Sequence, residues 1–82
     1  MTTLVRIRAR LIPWDDADFV RAFDGARNEI ERTGWRSEGP AAAEQVQRLL
    51  RERGYPKARV EVERSVEEAL VHVSHWSVSR DG

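Results

Sequence analysis

Two histidines, His72 and His75, lie three residues apart near the C-terminal end of the sequence. Neighbouring imidazoles can share a metal ion when they stand on one face of a helix. The residues around them, Val-His-Val-Ser-His-Trp-Ser-Val, are instead rich in β-branched and aromatic types and read as a strand. A period of two sends positions 72 and 75 to opposite faces, so joint chelation is not expected. Asp15, Asp16 and Asp18 form the one acidic cluster, and oxygen ligands of this kind suit hard divalent cations. No calcium-loop pattern surrounds them. Their place at the start of a helix, where acids cap free N–H groups and complement the helix dipole, accounts for them. Ser65, Ser74, Ser77 and Ser79 stand outside any nucleophile motif, and the five glycines form no phosphate-cradling loop. The sequence contains no cysteine, which excludes disulfides, thiolate metal centres and thiol nucleophiles. No catalytic residue, metal site or cofactor is therefore expected, and the chain reads as a non-enzymatic protein.

Arginine is the remaining chemical theme. Leu4 to Ile12 alternates apolar residues with Arg6, Arg8 and Arg10. Three guanidinium groups in a row could hold phosphates or carboxylates bidentately. Against this, arginines are spread through every segment, with Lys57 the single lysine, as a GC-rich coding bias would give. Lys plus Arg is 14 and Asp plus Glu is 14, so the molecule has no overall field for nucleic acid or membrane, and any electrostatic binding must be local.

The elements that position these groups follow from periodicity. Strict alternation over 4–12 specifies a strand burying Val5, Ile7, Ala9 and Leu11, with the arginines on the other face. Pro13 ends it. Asp15 or Asp16 then caps a helix running to about Thr33, with Trp14 as a hydrophobic staple and Phe19, Val20, Phe23, Ala26 and Ile30 as its apolar stripe. Gly25 inside that stripe suggests close packing against a neighbour. Gly34 ends the helix, residues 35–39 form a loop, and Gly39-Pro40 opens a second helix. This helix turns Ala42, Ala43, Val46, Leu49 and Leu50 inward and ends at Gly54, from which Tyr55-Pro56 makes an extended exit. Residues 58–64 alternate as a second strand with Val60 and Val62 inward. Ser65-Val66-Glu67-Glu68 fits a capping box, so a single helical turn is expected before a last strand over about 70–79.

The order β-α-α-β-β in 82 residues makes a single domain of α+β class. It is a two-layer sandwich whose three-stranded, mainly antiparallel sheet has both helices on one face. Nothing in the chain remains to cover the other face. If the first two strands are neighbours, Arg6, Arg8 and Arg10 would form a ladder with Glu61 and Glu63. The last strand is apolar on both sides, so either a bulge switches its parity between residues 73 and 76 or something covers its outer face. A second copy of the chain is the expected cover, with Val71, Val73, His75, Trp76 and Val78 as the homodimer interface. The alternative is a nucleic-acid platform in which Trp76 stacks a base and Arg6, Arg8 and Arg10 track phosphates. No stretch approaches the roughly 18 apolar residues of a membrane span and the N-terminus lacks a signal-peptide run, so a cytoplasmic protein without membrane contact is the expectation.

Overall fold

The computed structural model describes residues 4–12, 16–32, 39–69 and 71–82. The element order is β1 (Leu4–Ile12), α1 (Ala17–Arg32), α2 (Gly39–Glu52), β2 (Arg59–Glu68) and β3 (Val71–Ser79). The three strands form one sheet in the order β1-β3-β2. β1 pairs with β3 in parallel and β2 pairs with β3 antiparallel, so the expected two-layer α+β fold carries a mixed rather than purely antiparallel sheet. The reason lies in composition. β1 and β2 carry all of the sheet's Arg and Glu residues, whereas β3 has no residue of fixed charge, and the uncharged strand takes the centre, where both its neighbours shield it.

α1 starts where Asp16 Oδ1 accepts the Phe19 N–H at 3.1 Å, an N-cap, while the Asp16 carbonyl accepts the first helical bond from Val20. The buried stripe of α1 is Phe19, Phe23, Ala26 and Ile30. Val20, expected in that stripe, is only half-buried. Gly25 is exposed rather than closely packed: a Cβ there would meet only the Arg53 guanidinium, at an ordinary 3.4 Å. α2 ends in a Schellman turn, with Gly54 at φ +108° and the Tyr55 N–H donating back to the Leu50 carbonyl. Tyr55 then packs edge-on against Phe19, ring centroids 5.1 Å apart, which joins the end of α2 to the start of α1. The exit is a turn rather than extended, closed by the Ala58 N–H on the Tyr55 carbonyl.

The core lies between the helices and one sheet face. Phe19, Phe23, Ala26, Val46, Leu50, Trp76 and Val78 are its centre, with Ala9, Leu11 and Val62 partly buried at its border. β3 keeps an unbroken alternation, so the expected parity switch is absent from it. The bulge falls on β2, between Val62 and Arg64. Continuing the alternation of Val60 and Val62 would have driven Arg64 under the helices. One extra residue sends it to the face that no described helix covers, opposite His75, and sets Ser65 opposite Ser74 instead. The helical turn expected at 65–68 does not form. β2 runs through it and meets β3 in a tight hairpin, Glu68 pairing with Val71 and Ala69 adopting φ +55°. The expectations for the Val5 side chain, Pro13, Trp14, Asp15, Gly34, the 35–38 loop and Leu70 fall outside what is described.

Candidate sheet-face interface

Parity along β3 divides the residues expected at an interface between two environments. Trp76 is 1% exposed and Val78 fully buried, both in the helix-side core. Trp76 is thus a core residue rather than an interface anchor or a base-stacking platform. An indole can be buried only if its N–H finds an acceptor, and Ser74, two residues earlier on the same face, supplies it: Trp76 Nε1 donates to Ser74 Oγ at 2.7 Å. Ser74 is itself fully buried, with Ser65 Oγ 3.4 Å away. The remaining positions, Val71, Val73 and His75, belong to the opposite parity and line the open face. Val73 is 2% exposed without belonging to the helix-side cluster, and His75 is half-buried. Both histidines lie in β3, as a strand reading requires.

Cross-strand register orders the open face into rows. Arg6, Val73 and Val66 make one; Arg8, His75 and Arg64 the next; Arg10, Ser77 and Glu61 the third. Because β3 separates β1 from β2, the expected Arg–Glu ladder does not form. Arg10 alone reaches across, its Nη2 2.9 Å from Glu63 Oε1. Arg59 pairs along its own strand with Glu61 at 3.1 Å. Arg6, Arg8 and Arg64, all exposed, make no ion pair among the described residues. Arg8 and Arg64 thus flank His75 from both sides, each directly opposite it on an outer strand, with β3 between them.

The acidic cluster is used structurally. Asp16 caps α1 and pairs with Arg80 at the end of β3; Asp18 Oδ1 lies 2.5 Å from Arg21. Backbone hydrogen bonding from Phe19, aided by Arg80, holds the Asp16 carboxyl below the usual carboxylate range. Among the described residues no three His, Asp or Glu side chains gather as a metal site.

Sequence reasoning missed Arg64. Its signal was present: in the alternation Val60-Glu61-Val62-Glu63-Arg64, an arginine falls on an inward position, and an unpaired charge cannot stay there. The chain matches no protein-family model, and searches of curated proteins and of solved structures return no significant match.

Proposed function

We propose that this chain is a non-enzymatic interaction module whose working surface is the open sheet face, and that this face takes an anionic partner. The observation that carries the reading is the set Arg6, Arg8 and Arg64 around His75, three guanidinium groups without counter-charge among the described residues of a chain with net charge zero. An anion between Arg8 and Arg64 would gain bidentate contacts. A second copy of the chain is a poorer occupant. Stacking two open faces about a twofold axis near His75 would set these arginines against their own counterparts, and the expected anchor, Trp76, lies in the core. The nucleic-acid alternative keeps its arginines but loses its tryptophan, leaving His75 as the one described ring on that face.

The test is fluorescence anisotropy at low salt with two probe anions, a labelled single-stranded oligonucleotide and a poly-glutamate chain. Arg8→Glu with Arg64→Glu should weaken binding at least about tenfold, and binding to the wild type should fall steeply with salt. Arg32→Glu with Arg48→Glu makes the same change of net charge on the helices and should leave binding nearly intact. Equal losses in both double variants would overturn the reading. Light scattering on the same samples should give a mass near 9.5 kDa; a stable species of twice that mass would hand the face to a second copy.

A further inference from the structure

The two edges of the sheet are not equivalent. β2 is guarded: its bulge between Val62 and Arg64 breaks the ladder, and the side chain of Gln47 in α2 accepts the Val60 N–H at 3.0 Å. β1 is a regular strand of nine residues, paired in register with β3 over its whole length, and no described element pairs with its outer side. The Arg80 N–H donates to the Ile12 carbonyl, which fixes the phase of the strand. Ile12, Arg10, Arg8 and Arg6 turn their backbone groups toward β3, so Ile7, Ala9 and Leu11 turn theirs toward the free edge.

A hollow of about 600 Å³ is lined by Ala9, Arg10, Leu11 and Ile12. Consecutive strand residues point to opposite faces, so a hollow touching all four lies along the edge rather than over one face. Ile12, 47% exposed, is the one large apolar side chain among the described residues to stand so far out of the surface.

The geometry points to β1 as the receiving edge for an extended peptide segment that alternates apolar and acidic residues, docking as a fourth strand. This rests on the anionic-partner reading through Arg6 and Arg8, the members of that set that a strand beside β1 reaches, and names the partner's chemistry. Backbone pairing with Ile7, Ala9 and Leu11 would supply affinity. A strand has the same period of two as β1, so residues on the helix side of the segment would fall beside Ile7, Ala9 and Leu11, and those on the open side beside Arg6, Arg8 and Arg10, over the whole length of the contact. The same arginines act against self-pairing, because β1 laid beside a second β1 would set arginine next to arginine. A single-stranded nucleic acid could follow the arginines but has no use for the free backbone groups or the apolar hollow.

The experiment titrates the wild-type chain with three labelled probes: the peptide Gly-Val-Glu-Val-Glu-Val-Glu-Gly, its scrambled counterpart Gly-Val-Val-Val-Glu-Glu-Glu-Gly, and a single-stranded oligonucleotide. The alternating peptide should bind about tenfold more tightly than the scrambled one, and Arg8→Glu with Arg10→Glu should reverse preference toward a further probe with lysine in place of each glutamate, Gly-Val-Lys-Val-Lys-Val-Lys-Gly. On binding, the amides of Ile7, Ala9 and Leu11 should gain protection from hydrogen exchange. Ala9→Pro, which removes an edge N–H while leaving the β3 ladder and every arginine in place, should abolish that protection and the binding. If Ala9→Pro fails to fold, the exchange data on the wild type decide. Equal binding of the alternating and scrambled peptides, or binding without edge protection, overturns the inference. Oligonucleotide binding alone would leave the anionic-partner reading standing and sink this one, and no binding of any probe would sink both.

Discussion

Trp76 shows how much one residue's surroundings decide. As an isolated aromatic in a strand that is apolar on both sides, it invites an interface. Its burial beside Phe19, Phe23 and Leu50 and its bond to Ser74 make it part of the fold instead. Trp76→Glu should therefore unfold the domain, seen as loss of far-UV helical signal, rather than dissociate a folded pair. Trp76→Phe retains most of the apolar volume but leaves the Ser74 hydroxyl without its indole donor. It should cost about 1–3 kcal/mol in urea denaturation, against about 3–5 kcal/mol for Trp76→Ala. A folded Trp76→Glu chain with native circular dichroism would contradict this placement. The deciding partner, Ser74, was legible at i−2 on the same face, but nothing in the sequence says which face of β3 the helices cover.

At the scale of elements, what was legible followed periodicity and what was not followed pairing. The alternation in β1, the stripe in α1 and the proline-led start of α2 each report a local geometry that the residues themselves enforce. Strand order is not local. That β3 inserts between β1 and β2 depends on the contrast among all three strands, and with it went the expected ladder, of which Arg10–Glu63 alone remains. The segment Ser65 to Glu68 satisfies a capping-box pattern, yet a strand can hold the same residues once the bulge has reset the phase. Continuous pairing with β3 then outweighs a lone helical turn. The consequence is a hairpin so tight that Ala69 must take φ +55°, where an L-residue with a Cβ is strained. Ala69→Asn, whose side chain tolerates that region, should raise the urea midpoint by the equivalent of about 0.5–1 kcal/mol, and Ala69→Val should lower it by at least as much. If both substitutions shift the midpoint in the same direction, the left-handed turn is not what limits this hairpin.

Across the whole molecule, one side-chain contact closes the chain on itself. Asp16, at the junction of β1 and α1, caps the helix and pairs with Arg80 just beyond β3. Because the folded state holds the Asp16 carboxyl below its ordinary value of 3.8, the unfolded chain binds that proton more readily than the folded one. The sign follows: the contribution is fully present above the unfolded value and is lost as pH falls through the lowered, folded one. Arg80 has a second partner in Asp81, so removing Asp16 does not leave it alone. Two substitutions separate the roles of Asp16. Asparagine keeps a capping oxygen and surrenders the charge that faces Arg80; alanine surrenders both. At about pH 7 the thermal midpoint should fall in the order wild type, Asp16→Asn, Asp16→Ala, with the alanine variant about 4–8 °C below wild type. As pH falls through that lowered value, wild-type Asp16 becomes a neutral carboxyl, so its advantage over Asp16→Asn should vanish while that over Asp16→Ala narrows to the capping bond alone. Midpoints followed by circular dichroism across this range decide the matter. A gap to Asp16→Asn that stays constant into acid would mean that the charge at this junction does not contribute to holding the two ends of the fold together.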